Sequence, residues 1–199
     1  MRYEPITPEI LKKLQAAVGP KNVTTDPDKM QPYSHDEVTD PAYHHMPEAV
    51  VFAETAEQVA AVVQLANDYH FPVVPRGAGT GLACGAVPIY GGIVLSLEKM
   101  NRILEINEDA LYAVVEPGVR TSDLQDAAEA KGLFYAGDPC SGDSCFIGGN
   151  IATNAGGNRA VKYGTTRHQV YDVEIVNPTG RIVQLGARLQ KQSTGYCLE

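Results

Sequence analysis

Apolar and polar positions alternate along this chain in short, separate runs. TPEILKKLQAAVG, Thr7 to Gly19, sets Ile10, Leu11, Leu14 and Val18 on one stripe at helical spacing. Thr7 stands ready to cap it, Pro8 and Glu9 fill the first turn, and Gly19 marks the stop. Residues 20–47, PKNVTTDPDKMQPYSHDEVTDPAYHHMP, are rich in Pro and Asp and predict an irregular arm. Order resumes at EAVVFAE, a short apolar run suited to a strand. TAEQVAAVVQLANDYH follows as a helix, with Thr55 as cap, Gln58 three residues on, and Val59, Val62, Val63, Leu65 and Ala66 toward one side. FPVVPRG reads as a second buried strand, and a strand–helix–strand unit of this length is expected to be parallel and right-handed.

The second half continues in the same style. GGIVLSLEKM predicts a strand, and ILEINEDALYAVVEPGV predicts two strands joined at the polar NED turn. RTSDLQDAAEAKG predicts a helix capped by Thr121 or Ser122, with Gly132 just past its end. VYDVEIVNPTGRIVQLG is a hairpin pattern turning at NPTG. The expected fold class is α+β. An N-terminal helix and arm over 1–45 precede two small lobes, one near 46–100 and one near 101–199.

Two glycine-rich segments interrupt this pattern. PVVPRGAGTGL places Gly77, Gly79 and Gly81 directly after a strand. The spacing is GxGxG, and the following LACGAVPIYGG cannot be a long helix, so this is not the dinucleotide fingerprint that opens into a helix N-terminus. Successive amides in a tight glycine turn still form a nest for an anion. Arg76 either adds charge to that nest or ends its strand in solvent. FIGGNIATNAGG carries two glycine pairs among Asn150, Thr153, Asn154 and Asn158. Ordered glycine costs conformational entropy. Such a segment is expected to lay bare amides along a flat surface, against which something large can rest.

Composition narrows the function classes. At 44% hydrophobic and 20% charged residues the 199-residue chain is ordinary globular material, and its formal net charge of −8 disfavours nucleic acid or an anionic membrane as partner. No stretch approaches the roughly 20 apolar residues of a membrane span, and MRYEPITPEI lacks a secretory core, so a cytoplasmic protein is expected. Cys84, Cys140, Cys145 and Cys197 lack CxxC spacing, and the five histidines form no ligand motif, so no metal site is expected.

PVVPRGAGTGL, IVLSLEKMNRI, VEPGV, IGGNIATNAGG and KYGTT, in that order, resemble the FAD-binding domain of the vanillyl-alcohol oxidase superfamily, the PCMH-type fold. Within it the chain is most similar to the branch of glycolate oxidase GlcD subunits and D-lactate dehydrogenases, from about Met46 onward. The resemblance implies FAD held between two α+β subdomains. Arg76, Gly77, Ala78, Gly79, Thr80, Gly81 and Leu82 would wrap the pyrophosphate. Ile147, Gly148, Gly149, Asn150, Thr153, Asn154, Gly156 and Gly157 would line pyrophosphate and flavin ring. Pro139 and Ser144 would lie along the cofactor, with Pro117 and Gly118 near it, and Glu174, Ile175 and Val176 at the adenine end. PRGAGTG holds no histidine, the residue through which some members tether flavin, so non-covalent FAD is expected.

Enzymes of this branch continue past a motif like KQSTGYCL into a cap domain that holds the substrate, and none of that domain is present in residues 1–199. The parent activity implied is oxidation of a D-2-hydroxy acid such as glycolate or D-lactate to the 2-oxo acid. His168 and Tyr163 are the weak candidates for a base, and the chain alone is expected to bind FAD without being catalytically complete. The alternatives are a stand-alone flavin module serving a separate electron-transfer subunit, or a same-fold reductase of another substrate class.

Overall fold

The computed structural model describes residues 3–188. Helix α1 (Pro8–Val18) forms where its apolar stripe predicts: Thr7 accepts from the Ile10 N–H at 3.3 Å, and Ile10, Leu14 and Val18 are buried. Then come β1 (Val23–Thr24), α2 (Pro27–Met30), β2 (Ala49–Phe52), α3 (Ala56–Tyr69), β3 (Val73–Arg76) and β4 (Ile93–Ser96). The four strands make one sheet in the order β1-β2-β4-β3. Both β2 and β3 run parallel to β4, so the strand–helix–strand unit is parallel as expected, with β4 inserted between its strands. The arm is not wholly irregular, because β1 joins the sheet antiparallel to β2. Two residues are too few for an alternating pattern to reveal them.

Successive residues of β2 and β4 point to opposite faces, which assigns their side chains to two packing layers. Ala49, Val51, Ile93 and Leu95 pack with Leu14, Val18, Val62 and Phe71 beneath α1 and α3. Val50 and Val94 face the other way, where Met30 and Tyr33 of the arm cover them. Parallel sheets require cover on both faces, and here the arm supplies the second cover. Strand β3 lies at the sheet edge and is half-exposed rather than buried. An edge tolerates Pro75, which has no N–H to donate.

The second lobe holds the hairpin β5 (Ile103–Asn107) and β6 (Tyr112–Val115), then α4 (Thr121–Glu129), α5 (Ile147–Thr153) and α6 (Ala160–Tyr163). A second hairpin follows, β7 (Asp172–Val176) and β8 (Ile182–Gly186). Neither Thr121 nor Ser122 caps α4. Arg120 occupies the cap position and pairs with Asp123 at 3.0 Å, while Thr121 is fully buried inside the helix. Val119, Leu124 and Ile147 form a small core with Ile103, Val115, Tyr135 and Ile151. The lobes are fastened at the β7–β8 turn, where Gln64 Nε2 donates to Gly180 O at 3.1 Å and Asn67 Nδ2 to Pro178 O at 2.8 Å. Among the described residues no helix is long and apolar enough to cross a membrane.

Candidate functional site

The second glycine segment departs most from its sequence reading. Ile147 to Thr153, IGGNIAT, is a short α-helix and not a flat loop. Glycine is a poor helix former, but packing overrides propensity here. Ile147 N–H donates to Val119 O and Gly148 N–H to Pro117 O, both at 2.9 Å, which fixes the first turn on the β6–α4 connection. Asn150 is buried, and its Nδ2 donates to Thr121 Oγ1 at 2.7 Å, with Cys145 Sγ 3.2 Å from the same hydroxyl. Its Nδ2 therefore serves the interior. Asn154 ends the helix in the left-handed conformation, with φ 49° and ψ 53°. Its Oδ1 accepts from the Arg167 N–H at 3.1 Å.

The first segment runs as a loop from the end of β3, and Arg76 is buried against it rather than ending its strand in solvent. Its guanidinium is buried, donating from NH1 to His35 O at 2.7 Å and from NH2 to Pro32 O at 3.0 Å, with the Tyr33 ring 5.5 Å away. Burial pulls its pKa below the usual value, while Tyr33, Asp36 and Glu98 push the other way. Arginine keeps its proton across this range, so a buried positive charge lies against the loop at Gly79 while its N–H groups bond the carbonyls of the arm. Burial, and then the charge of Glu98, pushes the Tyr33 hydroxyl upward, and Tyr33 donates to Glu98 Oε2 at 3.0 Å.

The two segments meet. A Cβ built on Gly77 would lie 3.6 Å from Phe146 Cδ2 and 3.8 Å from both Cα and N of Gly149. The same construction sorts the glycines into two kinds. At Gly148 a Cβ would lie 2.5 Å from Pro117 Cβ, and at Gly118 2.5 Å from Leu97 O. At Gly79 it would run into the Arg76 guanidinium, and at Gly157 into Asp138 O. Those four are glycine because the protein itself leaves no room. Gly77 has only ordinary contacts, Gly81 and Gly156 have a single neighbour each at 3.9 Å, and Gly149 has nothing within 4 Å. None of these four has a positive φ. The chain's own packing gives no reason for glycine there, and a cradle of exposed amides remains that side chains would fill. That is the shape an elongated, phosphate-bearing ring cofactor requires of a backbone. Gly85, just past the first loop, is open in the same way and lies outside the residues that the sequence singles out.

The other expected residues distribute around this junction. Ala78, Thr80 and Leu82 complete the first loop, with Leu82 largely exposed. Pro117 and Gly118 are clamped between the end of β4 and α5, Gly118 N–H donating to Met100 O at 2.7 Å. Pro139 and Ser144 lie in the turn before α5, where Pro139 O accepts from Gly142 N–H at 2.9 Å. Thr153 is exposed, and its hydroxyl donates back to Gly149 O at 2.9 Å. Glu174, Ile175 and Val176 pair with Gln184, Val183 and Ile182 within the second hairpin. Among the described residues no hydrogen bond joins them to either glycine segment.

His168 caps its own turn, its Nδ1 accepting from the Thr165 N–H at 3.2 Å. Tyr163 packs against Phe134 with ring centroids 5.5 Å apart. A hollow of about 390 Å³ between the lobes is lined by Glu98, Asn101, Gly118, Arg120, Asp123 and Phe146, adjoining the junction. A wider one of about 510 Å³, between α3 and the β7–β8 turn, includes none of the predicted residues.

Comparison with known proteins identifies the family and the fold. The D-lactate dehydrogenase of Anaerostipes hadrus is 45% identical over 99% of this chain, the glycolate oxidase subunit GlcD of Bacillus subtilis 41% over 97%, and the D-2-hydroxyglutarate dehydrogenase of Stutzerimonas stutzeri 42% over 96%. The chain spans 41% of the length of each of these relatives. Among solved structures, alkyldihydroxyacetonephosphate synthase superposes with a TM-score of 0.81 at 22% identity, over 94% of this chain and 40% of that one. p-Cresol methylhydroxylase with substrate bound gives 0.74 at 27%, over 88% and 34%. The expected PCMH-type α+β fold is thereby established. A family model described as FAD binding domain matches residues 47–186, and the chain belongs to that family.

Proposed function

We propose that this chain holds FAD non-covalently across the junction of its two glycine segments, as the cofactor-binding part of a dehydrogenase that oxidises a D-2-hydroxy acid to the 2-oxo acid. The observation that carries this reading is the open edge shared by Gly77 and Gly149, flanked by Gly81 and Gly156. Backbone amides of residues 77–82 offer a nest for the diphosphate, and the exposed side of α5 with Thr153, Asn154 and Gly156 offers close approach to a ring. Gly148 and Asn150 act one step back, keeping α5 pressed on Pro117 and Thr121 so that Gly149 faces outward, while Gly118 and Gly157 let the chain pass close to the Leu97 and Asp138 carbonyls. Pro139 and Ser144 flank that surface, and Glu174, Ile175 and Val176 are assigned to the adenine end by the family likeness alone. Bound FAD supplies the acceptor for the hydride lost from carbon 2 of the acid.

The substrate class rests on the relatives, which act on D-lactate, glycolate and D-2-hydroxyglutarate by name. A small hydroxy acid and an electron-accepting subunit are the partners this reading implies, and the cytoplasm the compartment. The test is to mix the pure chain with FAD, remove free cofactor by gel filtration and record the visible spectrum. Retained flavin absorbance, with an unshifted protein mass after denaturation, supports the reading. A colourless protein whose addition leaves FAD fluorescence unchanged would overturn it.

A further inference from the structure

The matched FAD binding domain begins at residue 47, although the curated relatives match the arm as well, and the first glycine loop is held by arm residues that precede that domain. Asp36 is buried, and its two carboxylate oxygens are both occupied: Oδ2 accepts from the Cys84 N–H at 2.7 Å and Oδ1 from the Val38 N–H at 3.0 Å. Its neighbour Glu37 donates its N–H to Gly81 O at 3.0 Å. At the other end of the loop, Arg76 reaches the carbonyls of Pro32 and His35. The loop is therefore held at its start, its middle and its end, and at each point the partner is a residue of the arm between Pro32 and Glu37.

We infer that Asp36 is a positioning residue for the cofactor: through Cys84 and Gly81 the arm sets the curvature of residues 77–84 before FAD arrives, so the functional unit extends N-terminally beyond the matched domain. This rests on the FAD reading above. The physical argument is one of ordering. A glycine loop has the largest conformational freedom of any segment to lose on binding, and fixing it beforehand removes that cost from the binding step. A charged acceptor bonded to a backbone N–H is a strong way to do so, because such bonds exceed neutral ones in strength. Asp36 would otherwise oppose a diphosphate, and the buried Arg76 guanidinium offsets its charge from within the protein.

The experiment has two arms that separate this inference from FAD binding itself. In the first, hydrogen exchange is followed by NMR on the FAD-free chain. The Cys84 amide is expected to be protected without cofactor. Free exchange there, with protection appearing only after FAD is added, would overturn the inference. In the second, FAD affinity is measured by fluorescence quenching for Asp36→Ala, Asp36→Asn and Asp40→Ala. Asp40 accepts from the Ala42 N–H in the same arm, and among the described residues no hydrogen bond joins its side chain to the loop, so it reports on damage to the arm alone. Asp36→Ala should weaken binding about tenfold, the worth of one charge-assisted hydrogen bond. Asp36→Asn, which keeps one carbonyl acceptor for Cys84 but turns its NH2 toward the Val38 N–H, should recover only part of that loss, and Asp40→Ala should match the parent. Equal affinity in Asp36→Ala and the parent sinks the inference. If Asp36→Ala does not fold, the exchange arm and Asp36→Asn decide. Failure of the parent to bind FAD at all would refute the cofactor reading, while the Cys84 amide would still report whether the arm orders the loop.

Discussion

The two glycine segments converge on Gly77 and Gly149, but they reach that point by different routes. The first is a loop with little structure of its own, held by arm residues 41 to 48 positions earlier in the chain. The second is held within its own lobe: Pro117 presses on Gly148, Thr121 bonds Asn150 and Asp138 crowds Gly157. The difference teaches that bare amides become a binding surface only when something fixes them, and that the fixing elements need not be near in sequence. It also separates two meanings of glycine. Some are there because the chain crowds them, others because the chain leaves them open.

The sharpest break of this contrast falls on Gly157, at the end of the second segment. Its φ of 151° lies outside the range side chains prefer, and a Cβ would meet the Asp138 carbonyl. Gly157→Ala should cost about 3 kcal/mol, combining overpacking with backbone strain. In a chain of this size that lowers the melting temperature by roughly 6–12 °C. Circular dichroism melts would show it, and a melt unchanged from the parent would mean the second segment is not locked as described.

Adjacent glycines sharpen the same point with a smaller effect. Gly148→Ala drives a Cβ to 2.5 Å from Pro117 and should lose about 2 kcal/mol of stability. Gly149→Ala meets nothing within 4 Å and should gain about 0.5–1 kcal/mol, the ordinary preference of a helix for alanine. On FAD affinity the order reverses: Gly149→Ala should weaken binding at least about tenfold, or 1.4 kcal/mol, while Gly149→Asp, which adds charge against a diphosphate, should weaken it further. A Gly149→Ala protein that binds FAD as tightly as the parent would show that the open side of α5 is not where the cofactor lies.

What the sequence disclosed follows the same division between local and distant causes. The stripe Ile10, Leu14, Val18, the cap Thr55 and the run Ile93–Ser96 declared their elements because periodicity and capping are local signals. The glycine positions and their order declared the family. Helix α5 stayed hidden because its two glycines argue against a helix, and the packing against Pro117 that enforces one comes from a residue thirty positions away. Asp36 stayed hidden among the several acids of the arm, since nothing in its neighbours distinguishes the one whose carboxylate meets Cys84. Arg76 could be either a charge for the nest or a solvated strand end, and only the arm's carbonyls, distant in sequence, reveal that it is buried.

The smallest effect concerns the support of Pro117, against which Gly148 rests. Glu116, the preceding residue, is buried, and it accepts from Arg102 at both its backbone N–H (2.7 Å) and its guanidinium (2.7 Å to NH2). The Arg102 side chain holds the Glu116 carboxyl below its usual pKa, and burial only partly offsets this. A carboxyl whose folded pKa is depressed contributes stability above its unfolded pKa of about 4.3, and loses it as pH falls through the folded value. Arg102 is 70% exposed, so solvent screening limits the contribution to less than about 1 kcal/mol. Urea unfolding at about pH 7 and about pH 3 should therefore show a slightly steeper acid loss in the parent than in Glu116→Gln. Because this pair supports Pro117 and through it the second segment, acid should lower the protection factor of the Gly148 amide through Glu116 while leaving that of the Cys84 amide untouched by the Glu116→Gln change. Equal response of both amides to that substitution would mean the two segments are coupled, and the contrast between a braced loop and a self-held helix would have to be abandoned.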